Sequence, residues 1–178
     1  GRLTIVYNGE VYNYRELRGK LEEAGARFRT DGDTEVVLES FTRWGEDALT
    51  RFNGMFAFAL WDRRERTLSL VRDRVGIKPL YYGWAGRTFV FGSELKAIRA
   101  YPAFRGEIDP DAVALLMRYS YIPVPHAIYR GVYKLLPGTV LTVTESKGRG
   151  DFSPYAHTSC TVRPVPYWSA REMAERGA

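Results

Sequence analysis

The sequence predicts an α+β fold in which antiparallel sheets carry amphipathic helices, and three observations support it. Apolar, β-branched and aromatic runs at 55–62, 67–72, 80–84 and 88–91 follow one another across short polar breaks, as the strands of consecutive hairpins do. Residues 13–24 and 33–44 carry apolar side chains at helical spacing with charges between them. At 178 residues and 45% hydrophobic composition, the chain can bury a core without disulfide staples.

The first element is the run Leu3-Thr4-Ile5-Val6-Tyr7, which reads as a strand closed by a tight turn at Asn8-Gly9-Glu10. A turn there presents an amide, a backbone N–H and a carboxylate together at a strand end, although for an isolated Asn-Gly a plain hairpin turn is strongly the favoured reading. Tyr14, Leu17, Leu21 and Ala24 form one face of a helix, with Gly25 just past its end. Residues 26 to 30 fit a short strand. Val36, Val37, Leu38, Phe41 and Trp44 mark a second helix, with Asp33 or Thr34 near its start and Asp33 read locally as its N-cap. Neither an EF-hand nor a phosphatase-type Asp-x-Asp-x-Thr fits here, since those need Gly at Val36 and Thr at Glu35.

The nearly continuous apolar run 55–62 suits a strand covered on both faces. A charged loop at 63–66 returns it as a hairpin into 67–72, and 73–79 is a polar connection. Residues 80–84 pair with 88–91 across Ala85-Gly86. Ser93 is a good cap for a short helix over 94–98, and Pro110 falls in the first turn of another over 109–119. Beyond Pro123 and Pro125 the chain reads as loop until the strand 139–143. Residues 145 to 163, rich in Gly, Ser and basic residues, read as a mobile excursion; 164–168 return to the sheet, and 169–176 begin a helix.

The formal charge of +5 and pI near 9.4 raise a nucleic-acid surface as one meaning, but the basic residues are dispersed among acids, as in Asp62-Arg63-Arg64-Glu65-Arg66. That pattern marks a solvated face, so no nucleic-acid partner is expected. No apolar run reaches the ~18 residues of a membrane helix, so no membrane partner is expected either. The lone Cys160 excludes an internal disulfide and suits a reducing, cytoplasmic compartment.

Five blocks then resemble a known family. Val6-Tyr7-Asn8-Gly9-Glu10-Val11-Tyr12-Asn13, Asp33-Thr34-Glu35-Val36, residues 52–62, residues 72–82 and residues 91–98 are together similar to the glutaminase domain of glutamine-hydrolysing asparagine synthetase. The resemblance implies an Ntn-hydrolase αββα sandwich, two antiparallel sheets between helical layers, incomplete at its N-terminus. It implies a partial amidotransferase domain over 1–144, with 145–178 as loop and linker toward a synthetase domain. L-Glutamine is the implied substrate, and ATP and Mg serve the synthetase part rather than this chain, where no cofactor and no metal site is expected.

By the same resemblance, the Asn8 amide and the Gly9 N–H form an oxyanion hole, while Glu10 and Asp33 hold the substrate's amino-acid end. An ammonium in a partly dry pocket needs such anionic partners. Arg74, Lys78 and the Tyr81-Tyr82 pair are read as structural. The family's nucleophile is an N-terminal Cys, and here residue 1 is Gly. Cys160 has no amine beside it, and His126 and His157 fall in no motif. The expectation is a chain that lacks the family's first several dozen residues, hydrolyses no glutamine alone, and self-associates or leans on its own missing segments. A catalytically dead glutamine-binding scaffold, or a domain feeding sugar, purine-precursor or β-lactam-type acceptors, is the alternative.

Overall fold

A computed structural model describes residues 1–144 and 163–177. In chain order the elements are β1 (Leu3–Val11), α1 (Tyr14–Glu23), α2 (Asp33–Trp44), a 3-10 turn (Gly45–Asp47), α3 (Ala48–Arg51), β2 (Gly54–Asp62) and β3 (Thr67–Arg72). They continue as β4 (Tyr81–Ala85), β5 (Thr88–Gly92), α4 (Leu95–Arg99), α5 (Pro110–Tyr119), β6 (Val132–Lys134), β7 (Thr139–Thr144), β8 (Val165–Pro166) and α6 (Ala170–Gly177). Five strands form one antiparallel sheet in the order β1-β2-β3-β7-β8, and three form a second in the order β5-β4-β6.

Two-residue alternation sorts the side chains into layers. On one face of the larger sheet, Phe56, Phe58 and Leu60 meet Leu17 and Leu21 of α1 and Val36, Val37 and Phe41 of α2. Phe58 and Phe41 meet edge to face with ring centroids 5.6 Å apart. On the other face the small Ala57 and Ala59, with Leu70 and Leu141, meet Leu80, Tyr82 and Leu135 of the second sheet's layer. The far side of that second sheet is closed by Ile98 of α4 with Ala127, Val132, Phe104 and Tyr129. Helices, sheet, sheet and helix with loop therefore stack as the expected αββα sandwich.

Several local expectations are corrected. Asn8-Gly9-Glu10 is not a turn: β1 runs straight through it, paired with β2 from Leu3 opposite Asp62 to Val11 opposite Gly54. Nine consecutive pairings override the turn preference of one dipeptide. Residues 26 to 30 form no strand; Glu35 accepts hydrogen bonds from the Arg29 and Thr30 N–H groups and the Thr30 hydroxyl, which folds this stretch onto the start of α2. Asp33 is the first residue of α2 and Gly32 its N-cap. Ser93 does not cap α4, whose N-cap position is Glu94. β6 stands where the sequence reads as loop, its three residues being too few for a periodic signal. Asp109 caps α5 by accepting from the Asp111 N–H at 3.0 Å, with Pro110 in the first turn. Cys160, His157 and the excursion of 145–162 lie outside the described residues. No helix among the described residues is long and apolar enough to cross a membrane.

Candidate functional site at the free edge of the first strand

β1 has a partner on one side only among the described residues, and the ladder decides what its open edge presents. The Tyr12 N–H bonds the Asn53 carbonyl at 2.8 Å, on the β2 side. In an antiparallel ladder N–H groups alternate sides, so those of Val11 and Gly9 face the open edge. The Val11 N–H donates to Asp33 Oδ2 at 2.9 Å, and the Tyr7 hydroxyl donates to the same oxygen at 2.7 Å. Asp33 thus caps nothing on its own helix; its carboxylate leans from the N-terminus of α2 onto β1. A carboxylate there also gains from the helix dipole.

The faces of β1 divide the remaining residues. Leu3, Ile5, Tyr7 and Val11 turn toward the helical layer, while Val6, Asn8 and Glu10 turn to the opposite, exposed side. Asn8 Nδ2 donates to Ser93 Oγ at 3.1 Å, which links this face to the end of the second sheet. Asp33 therefore shares the open edge with the Gly9 N–H but lies across the strand from the Asn8 and Glu10 side chains. The charge of Glu10 still reaches Tyr7: burial first, then the bond to Asp33 and the charges of Asp33 and Glu10, push the Tyr7 phenol well above its usual range.

Gly9 is required by its backbone. With φ at +153°, a Cβ would sit 2.2 Å from the Met55 carbonyl oxygen and 2.6 Å from Phe56 Cα. Just along the ladder, a Cβ on Gly54 would sit 2.2 Å from the Glu10 carbonyl oxygen. The strands meet backbone to backbone here, which no side chain permits. Asn13 ties the end of β1 to the entry of β2, donating to the Arg51 carbonyl at 3.0 Å and accepting from the Asn53 N–H at 2.9 Å.

Two residues that sequence reading passed over support this edge. Asp73 is fully buried and accepts from the N–H groups of Ile77 and Lys78 at 2.9 Å, Val75 at 3.2 Å and Phe56 at 3.3 Å. Its own N–H bonds the Phe56 carbonyl at 2.8 Å, and Phe56 is the residue opposite Gly9. The second is Tyr7, whose polar partner lies 26 residues away. The one available signal was the Asp73 to Pro79 stretch, where an Asp precedes Gly and Pro as in side-chain-organised turns.

Arg74 donates to the Thr50 carbonyl at 2.9 Å, the Lys78 N–H serves Asp73, and Tyr82 is fully buried between the sheets. Arg72 spans the same loop, donating to the carbonyls of Gly76, Lys78 and Leu135, and burial lowers the pKa of its guanidinium. His126 belongs to the loop before β6 and bridges to Tyr133. Among the described residues no group of three or more His, Cys, Asp or Glu is placed to hold a metal ion.

Comparisons with known proteins agree with this architecture. Residues 1–156 match the model of the glutamine amidotransferase domain. Asparagine synthetase [glutamine-hydrolyzing] 3 of Bacillus subtilis is 39% identical over 143 residues, covering 80% of this chain and 23% of that protein. A putative asparagine synthetase [glutamine-hydrolyzing] 2 of Methanocaldococcus jannaschii is 42% identical over 135 residues, 75% of this chain and 26% of that protein. The chain thus spans about a quarter of the length of these curated relatives. Among solved structures, the glutamine phosphoribosylpyrophosphate amidotransferase of B. subtilis superposes with a TM-score of 0.58 at 22% identity, over 81% of this chain and 27% of that one. That likeness concerns the fold alone. A sandwich of two antiparallel sheets between helical layers, with the family model matching residues 1–156 of the 178, places this chain in the glutamine amidotransferase domain family.

Proposed function

We propose that this chain is the glutaminase part of a glutamine-hydrolysing asparagine synthetase, binding L-glutamine along the open edge of β1 and releasing ammonia there. The observation that carries the reading is Asp33 seated on the Val11 N–H, two residues from the outward Gly9 N–H. One edge then offers an anion for the substrate's ammonium and a donor for the oxygen of its side-chain amide. Glu10 reaches the ammonium from the other face of the strand, and Asn8 supplies the second donor to the oxygen.

Attack by a thiolate on the amide carbon moves the carbonyl π electrons onto oxygen. Donors already aimed at that oxygen stabilise the charge without reorganising. Collapse breaks the C–N bond as the nitrogen takes a proton and leaves as ammonia; water then hydrolyses the thioester. In this reading the thiol comes from outside residues 1–144, and 145–178 lead toward the rest of the protein. ATP and Mg act there, in amidation of aspartate, and no step in this chain passes through them.

In the intact protein, Asn8→Ala is expected to lower glutamine-supported asparagine formation by about 10²–10³-fold, or roughly 3–4 kcal/mol, for loss of one oxyanion donor. Formation supported by added ammonia should be unchanged. An equal fall in both rates, or in neither, would overturn the assignment.

A further inference from the structure

We propose that Tyr7 is a positioning residue for glutamine binding, its hydroxyl fixing which oxygen of Asp33 faces the substrate's ammonium. The proposal rests on the reading of Asp33 as that ammonium's partner. Both bonds that Asp33 receives converge on Oδ2, from the Tyr7 hydroxyl at 2.7 Å and the Val11 N–H at 2.9 Å. Oδ1 receives none among the described residues. Two donors on one oxygen define the rotation of the carboxylate, so the other oxygen keeps its lone pairs in a set direction.

Tyr7 is suited to this because one side of its ring is held against the core. It lies half-buried on the helical side of β1, packed against the aromatic core with its ring centroid 6.3 Å from that of Phe58. That packing places the hydroxyl over the strand, within reach of Asp33. Its raised pKa keeps the proton on the phenol, so the group remains a donor under all ordinary conditions. Deleting the hydroxyl leaves the ring, and hence the packing, in place. Val11 N–H alone then holds Asp33, and the carboxylate can swing.

The test separates an ammonium-specific effect from general damage. L-Glutamine is compared with 4-carbamoylbutanoate, which is glutamine without its α-amino group, used as a competitive inhibitor of the intact protein. Tyr7→Phe should raise KM for glutamine about tenfold, the scale of one hydrogen bond to a charged group, with kcat and the inhibitor's Ki changed by less than about twofold. A parallel rise in KM and Ki would mean that Tyr7 is merely structural, and an unchanged KM would mean that the hydroxyl does nothing; either overturns the proposal. Asp33→Asn is the control. If it discriminates between the two compounds while Tyr7→Phe does not, only the positioning role falls. If Asp33→Asn shifts neither constant, or shifts both equally, the ammonium assignment itself is lost and the proposal with it.

Discussion

At the scale of the residue, the site depends on what Gly9 lacks. Its φ of +153° turns the Cβ position into β2, 2.2 Å from a carbonyl oxygen, while its N–H faces the open edge. Gly9→Ala must therefore either separate the strands or distort the donor. We expect a loss of more than about 3 kcal/mol, seen as a melting temperature lower by at least about 6 °C. A variant melting within about 2 °C of the parent would contradict the close approach. Asn8, Gly9, Glu10 and Asp33 stand in blocks distinctive enough to single out from the sequence. Their partners were not legible there. Tyr7 finds Asp33 across 26 positions and Asn8 finds Ser93 across 85, and no local pattern encodes a hydrogen bond that the fold alone brings about.

At the scale of the element, α1 and α2 were readable because each is long and strongly periodic, and the 54–72 hairpin because two apolar runs flank a charged loop, whereas the four-residue α3 carries no periodic signal and was not. The error at Asn8-Gly9 has a definite cause. Asn-Gly favours a turn where the chain is free to choose, but pairing with β2 over nine positions outweighs that choice, and Gly9 is kept for close contact instead. The 73–78 loop shows the complementary failure, a polar connection whose organiser is a buried carboxylate. Asp73 holds four N–H groups, one of them on the residue facing Gly9. Asp73→Ala would leave those donors unsatisfied and is expected to destabilise the chain by about 3–5 kcal/mol, read from urea unfolding. Asp73→Asn, which keeps an acceptor oxygen, should recover part of that loss. Equal stability of Asp73→Ala and the parent would show that the loop is held by Arg72 and its three carbonyl partners instead.

At the scale of the whole molecule, layers and chemistry are set by the same alternation. Large aromatic residues on one face of β2 bind the helices, and alanines on the other let the second sheet approach. Among the described residues β1 lies at the margin of the larger sheet, so the outward Gly9 N–H is not absorbed in pairing with β2. Antiparallel sheet and amphipathic helices were legible from the order of hairpins and helical runs, and the sandwich only through the family resemblance, whereas the way α2 brings an acidic side chain onto the strand margin required the packed structure. The central claim is that a single glutamine molecule bridges the Gly9 N–H, the Asn8 amide, Glu10 and Asp33. A crystal structure of the intact protein with L-glutamine bound tests it directly. The account predicts the side-chain amide oxygen within about 2.7–3.1 Å of the Gly9 nitrogen and the α-ammonium at similar distance from Asp33 Oδ1. Glutamine seated elsewhere, or reversed so that its α-carboxylate meets Asp33, would contradict it.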